Sequence, residues 1–322
     1  TGNDQTRQLR AEGFGSLLDL SGVTSVSNGT NYNSDLFIRA RAGGTIDLGS
    51  VAEMGGLLGG DNRRKSVHVV ADGVSSTIDL SSLTTFADAY GDGSNDGQFS
   101  VLHAETGGSV LVPLLASVSG TEIALDPTGT LSLAALTSLT GSAVTVGGAD
   151  AAFPLLADAS GTDFAVSAVS LDLGAVTDLT QGSVRLSDGA TIDLSLAAAI
   201  DGASFFVSDG STLALPAASS YSQGSTGNDQ TRYLVAEGPG SVLDLSNVSG
   251  LANGTHYNSD LILRSADGAT IDLGGVTGIT EAGAETRRKS VQVTVAGTGS
   301  TIDFSLLATF QDAYGDGSAD GQ

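Results

Sequence analysis

Apolar residues recur at i, i+2, i+5 and i+8 twelve times along this chain. The units include Leu18-Leu20-Val23-Val26, Ile46-Leu48-Val51-Met54, Ile78-Leu80-Leu83-Phe86 and Val110-Val112-Leu115-Val118, then Leu171-Leu173-Val176-Leu179, Ile271-Leu273-Val276-Ile279 and Ile302-Phe304-Leu307-Phe310. The first two positions alternate, as in a strand with one buried face. The gap of three that follows is too brief for a helix and fits a corner leading into another extended piece. A second alternating run precedes each unit, for example Ser183-Val184-Arg185-Leu186 or Thr121-Glu122-Ile123-Ala124-Leu125. Between the two runs lies a turn such as Asp188-Gly189 or Asp209-Gly210, where glycine supplies a positive φ.

Units in the centre of the chain start 20 or 21 residues apart, as in Leu131, Ala151, Leu171, Ile192 and Leu213. One coil of that length cannot bury its apolar side alone, whereas stacked coils build a continuous core. The expected fold is all-β, a parallel β-solenoid with about 4.8 Å of rise per coil. A right-handed β-helix is favoured, because left-handed hexapeptide helices use coils of about 18 residues. A leucine-rich-repeat horseshoe shares the unit length, but no buried Asn recurs after the strand and no helical segment fits between strands.

A longer period encloses the short one. Thr1-Gly-Asn-Asp-Gln-Thr-Arg7 returns as Thr226-Gly-Asn-Asp-Gln-Thr-Arg232, and most positions then agree as far as Gln98 and Gln322. The chain thus reads as one long repeat of nine coils, residues 1–225, and the opening of a second, residues 226–322, in one solenoid without a linker. Nine coils would rise about 43 Å. Four coils per repeat carry extra residues ahead of the next first strand, at Gly224–Thr231, Ser27–Asn33, Gly55–Lys65 and Asp88–Gly97. These loops should cluster at one corner, the place where repeat proteins often bind partners.

Composition narrows the function. Thirty-six acidic against 13 basic side chains give a net charge of −23, which argues against nucleic-acid binding. The absence of Cys removes disulfides and Cys-ligated metal. No apolar run reaches the length of a membrane span. No initiator Met or signal peptide is present, so the sequence reads as a piece of something longer. His68, His103 and His256 form no catalytic set, and no Ser-His-Asp spacing, phosphate loop or zinc motif appears. The chain is therefore not expected to be an enzyme.

Three residue groups are candidates for binding. Between the first two apolar positions of eight units stands an Asp: Asp19, Asp47, Asp79, Asp172, Asp193, Asp244, Asp272 and Asp303. Alternation turns it outward, and stacking would bring these carboxylates to about 5 Å, where like charges repel by about 1 kcal/mol per pair in water. Either a local backbone amide or bridging Ca2+ would relieve that repulsion. A second calcium candidate is Asp92-Gly-Ser94-Asn-Asp96-Gly, repeated as Asp316-Gly-Ser318-Ala-Asp320-Gly, with oxygen ligands at positions 1, 3 and 5 and Gly at 6. Position 12 is His103 rather than Glu, and the alternative is an acidic turn. The third group is two basic triplets, Arg63-Arg64-Lys65 and Arg287-Arg288-Lys289, expected to bridge to neighbouring acidic loops or to reach another fibre or an acidic glycan. Asn28, Asn247 and Asn253 match the glycosylation sequon, read as coincidence.

The recurring Thr-Ile-Asp-Leu and Leu-Thr-Ser-Leu phrases, the Asp, Gly, Ser and Thr richness and the scarcity of Lys resemble large secreted bacterial β-solenoid proteins of adhesin and autotransporter-passenger type. The resemblance covers the whole chain in style and implies an extracellular or cell-surface location. It also implies a structural role, as a fibre or adhesin stalk whose partners are further copies of itself and surface glycans. The competing expectation is a glycan-binding or polysaccharide-degrading β-helix, for which Tyr32, Tyr90, Tyr257 and Tyr314 in the loops are the repeated aromatic candidates.

Overall fold

The computed structural model describes residues 3–29, 31–55, 65–88, 99–224, 227–281 and 288–311. Two compact units divide the chain, Thr1–Phe164 and Ala165–Gln322. Each unit is a parallel β-solenoid whose coils run along three faces; most coils contribute a strand to each, and three central coils meet the third face only through isolated bridges, Ser138 with Asp158 and Asp178 with Ala199. No described residue is helical, and a coil without a helical return excludes the leucine-rich-repeat alternative.

In the first unit the first face stacks Gln5–Glu12, Ser34–Arg41, Lys65–Asp72, Ser100–Glu105, Thr121–Leu125 and Ala143–Gly147, each parallel to the next. The second face begins Leu17–Asp19, Thr45–Asp47, Thr77–Asp79 and the third Ser25–Ser27, Glu53–Gly55, Thr85–Ala87. The second unit repeats the plan. Its first face contains Ser183–Ser187, Ser204–Ser208, Gln230–Glu237, Ser259–Ala266 and Ser290–Ala296. Its second face contains Ser170–Asp172, Thr191–Asp193, Thr212–Ala214, Val242–Asp244, Thr270–Asp272 and Thr301–Asp303.

The four-position apolar pattern is the core. Ile78, Leu80, Leu83 and Phe86 are wholly buried, as are Leu243, Leu245 and Val248. The three-residue gap is a β-turn: in all twelve coils the amide at i+5 donates to the carbonyl at i+2, from Val23 to Leu20 (2.8 Å) through Leu307 to Phe304 (3.0 Å). Such a turn leaves both of its ends facing inward, which explains the spacing. At the preceding corner both Asp188 (φ 58°) and Gly189 (φ 72°) are left-handed, and Asp209-Gly210 does the same. Two successive positive φ values make this the mirror-image turn that Asp-Gly favours.

Burial of one coil comes from the next. Val69, Ala71 and Phe86 are fully buried, whereas Val293, Val295 and Phe310, at the same positions of the second copy with no described coil beyond them, are 41%, 50% and 55% exposed.

The insertions do fall between the third-face strand and the next first-face strand, but not wholly as loops. First-face strands that follow an insertion, such as Ser34–Arg41, Lys65–Asp72 and Gln230–Glu237, have eight residues, while Thr121–Leu125 and Ser183–Ser187 have five. Gln230, Thr231 and Lys65, expected in loops, are therefore strand residues. Coils without an insertion turn through a left-handed residue, Gly120, Gly141, Gly161, Gln181 or Gly202. Several coils with one carry a buried polar side chain at that place, Asn28, Asp88, Gln223 and Asn253. Asn253 Nδ2 donates to the carbonyls of Ser259 and Ser290, both at 3.0 Å, while its Oδ1 accepts the Gly254 amide at 2.7 Å. Asn28 bonds the Ser34 and Ser66 carbonyls in the same way, and Asp88 Oδ2 accepts from the Ser100 amide and hydroxyl.

Truncation at two copies of one position should separate packing from propensity. Leu83→Ala, in a covered coil, is expected to cost about 2–5 kcal/mol in urea unfolding, and Leu307→Ala, half-exposed at the matching place, less than half of that.

Candidate functional site

The eight outward Asp residues form in-register ladders. Asp19, Asp47 and Asp79 lie side by side in the first unit, and Asp172 beside Asp193 and Asp244 beside Asp272 and Asp303 in the second. Every one accepts, through Oδ1, the amide N–H two residues on: Ser21, Gly49, Ser81, Gly174, Ser195, Ser246, Gly274 and Ser305, at 2.8–3.0 Å. The local-amide alternative is thus the geometry of the ladder. The turn packs closely against the ladder: a Cβ on Gly49 would stand 3.2 Å from Asp47 Oδ1 and 3.5 Å from Asp79 Cγ. Hydrogen bonds from Ser21 hold the exposed Asp19 carboxyl below its ordinary value, and Thr128 does the same for Asp126.

Sequence reading missed the partner of this rule. Where the Asp is replaced by Leu111, Ala152 or Ala214, the residue two places on is Pro113, Pro154 or Pro216. In eleven of the twelve coils the turn amide is either accepted by Asp or absent because proline has none; the coil of Ser132 and Ala134 has neither device. The position is the second of the β-turn, where the fixed φ of proline fits.

Among the described residues no three His, Asp or Glu side chains come together in a way that could hold a metal ion. Asp92, Ser94, Asp96, Asp316, Ser318 and Asp320 lie outside the described residues, as do Arg63, Arg64, Arg287, Tyr90 and Tyr314. Lys65 and Lys289 are buried, 4% and 8% exposed, so they cannot serve as contacts to another fibre. Lys289 Nζ donates to the Gly254 carbonyl of the preceding coil's loop at 3.4 Å, a bond inside the repeat. Arg288 is left-handed, φ 53°. The sequons at Asn28 and Asn253 have their amides buried and bonded, as described above, and Asn247 Nδ2 donates to the Pro216 carbonyl.

The remaining cations gather on one surface. Outside the two triplets the chain has seven basic residues, all on first-face strands: Arg7, Arg10, Arg39, Arg41, Arg185, Arg232 and Arg264. Arg232 is spent on structure, donating from Nε to the Gly202 carbonyl and from Nη2 to Gln181 Oε1. Arg10, Arg39, Arg41, Arg185 and Arg264 alternate with buried residues and so face outward. Aromatic rings accompany them. In the first unit Phe37 stacks on His68, centroids 4.5 Å apart, with the Arg39 guanidinium 4.3 Å from the Phe37 ring centre. His103 also faces outward, half-buried. Burial lowers the pKa of His68, keeping its ring neutral near pH 7 against Phe37.

In the second unit the corresponding surface is a groove of about 460 Å3 lined by Arg185, Phe206, Tyr233, Val235, Ile262 and Arg264 among others. Phe206 and Tyr233 meet with centroids 5.4 Å apart, Arg185 lies 4.0 Å from the Phe206 ring centre, and Arg264 Nη1 is 3.0 Å from Glu237 Oε1. A second hollow, of about 380 Å3 in the first unit, has Asp126 and Asp150 as the charged residues of its lining. The two copies of the long repeat differ on this face: Gln8, Arg10, Phe37, Arg41 and His68 become Tyr233, Val235, Ile262, Ala266 and Gln292, while Arg39 and Glu12 recur as Arg264 and Glu237. Comparison with protein-family models, curated proteins and solved structures returned no match.

Removing one ladder carboxylate should expose the turn rule. Asp244→Ala is expected to cost about 1 kcal/mol, and adding Ser246→Pro should restore most of it in the same urea assay. Acid should act likewise. Carboxyls held below their ordinary value contribute stability that is complete above about pH 4 and is lost as pH falls through the lowered values, so unfolding midpoints should drop below about pH 4.

Proposed function

We propose that this chain is a structural, non-enzymatic segment of a tandem-repeat protein at the cell surface or outside the cell, a fibre or adhesin stalk. One observation carries the reading: each coil is buried by its neighbour in register, so adding a coil adds the same interface again. In such a design stability and length both grow with copy number, which is the useful property of a spacer. A repeat of 225 residues that returns with its coil pattern intact suits that use. The surface polarity supports it too, since an acidic second face keeps extended chains apart and soluble. Partners in this reading are further copies of the same protein, together with surface glycans.

Calcium belongs to the proposal through the Asp-Gly-Ser loops, whose Asp92, Ser94 and Asp96 provide hard oxygen ligands.

Chains of one, two and four long repeats test it. Unfolding midpoints should rise with copy number, and electron microscopy should show filaments whose contour length grows in proportion. Particles of constant diameter whatever the copy number would overturn the proposal. Melting in millimolar CaCl2 should exceed melting in EGTA by several degrees; coincident curves would remove calcium from it.

A further inference from the structure

We infer that the first-face groove of the second unit binds a carboxylate-bearing sugar chain, with Arg185 and Arg264 as the anion-recognising groups and Phe206 and Tyr233 as the apolar floor. This adds a ligand site to the structural reading.

The argument starts from charge. A chain at −23 repels anions over most of its surface, and the second face carries the Asp ladders. An acidic ligand can settle only where cations outnumber carboxylates, and the two outward Arg residues on the described first-face strands of this unit, Arg185 and Arg264, both line this groove. Arg185 lies over the Phe206 ring, its guanidinium carbon 4.0 Å from the ring centre, and its side chain has no hydrogen bond or ion pair to any other described residue. Its N–H donors are thus available, on a guanidinium already oriented, and that planar fork matches a carboxylate. Arg264 differs. Glu237 pairs with it at 3.0 Å, so it is fixed in place and shares its charge with a ligand.

The apolar residues choose between kinds of anion. Phe206, Tyr233, Val235 and Ile262 are half-buried, and the Tyr233 hydroxyl has no partner among the described residues. A free phosphate or a divalent counter-ion would leave that floor unused. A pyranose ring with an attached carboxylate uses both parts: C–H groups against aromatic and branched side chains, and the carboxylate on Arg185. The long strands Gln230–Glu237 and Ser259–Ala266 widen the surface here, and 460 Å3 accommodates a few sugar rings. Acidic peptides are the rival class. They would satisfy the arginines, but this face offers only side chains and no free backbone edge for an extended peptide to pair with.

The test is titration calorimetry of the full 322-residue chain at low salt with galacturonate hexamer, mannuronate hexamer, methyl-esterified galacturonate hexamer and a glutamate octapeptide. Saturable binding of at least one uronate hexamer is expected, at least tenfold tighter than the ester or the octapeptide. Arg185→Ala and Phe206→Ala should each weaken it at least tenfold with unchanged melting. If either variant melts early, Arg185→Gln and Phe206→Leu replace them with the same expectation. No saturable uronate binding, equal affinity for the ester, or affinity untouched by the Arg185 change would overturn the site. Tighter binding of the octapeptide would overturn the sugar and leave an acidic peptide. None of these outcomes bears on filament growth with copy number, so failure of this site and failure of the structural reading are separable.

Discussion

Parallel in-register pairing between successive coils is the constraint on which everything else in this protein rests. Such pairing sets each residue over the residue of the same role in the next turn of chain. Apolar side chains gain from meeting their own kind, so the core needs no complementary shapes, only the same four positions again. Polar groups do not gain in this way, and the solenoid has to settle each of them locally. The Asp ladders, the left-handed corners and the buried Asn residues are three local settlements of the same problem.

The core and the corners were legible because stacking enforces periodicity, and periodicity is what a single sequence displays. The spacing of two, three and three is a strand, a β-turn and a second strand, and the closing bond recurs from Val23 to Leu307. The outward Asp was legible for the same reason, although the letters alone left a local amide and a bridging cation as alternatives and only the turn geometry names the amide. Other features were hidden by distance along the chain. Asn253 joins carbonyls of residues 259 and 290, and no local pattern marks an Asn that ties an insertion to the next two strands. The Asp-or-Pro exchange was visible in the letters, yet it has meaning only once the turn amide is seen to need an acceptor. Strand extension into the insertions escaped because Gln230 and Thr231 carry no apolar signal.

The arginine and aromatic surface was the least legible part. Phe37, Phe206 and Tyr233 occupy outward strand positions with no period of their own, and their neighbours belong to other coils. Phe206 meets Arg185 from twenty-one residues earlier and Tyr233 from twenty-seven residues later, a pairing fixed by loop length rather than by spacing. The tyrosines expected to matter were those in the insertions, whereas Phe37 and Phe206, on which Arg39 and Arg185 lie, stand on the sheet. The most basic-looking segments misled in the same sense: Lys65 and Lys289 turned out to be interior.

The exchange of carboxylate for proline at the second-face turn gives this architecture an unusual freedom. Because proline dispenses with the amide that Asp would have accepted, a coil can shed one negative charge without leaving a backbone group unmet. Anion density along that surface is therefore a quantity that can drift or be dialled coil by coil while the turn keeps its shape. A lineage, or a designer, could retune the charge of such a solenoid by trading pairs of letters, with the interior left alone.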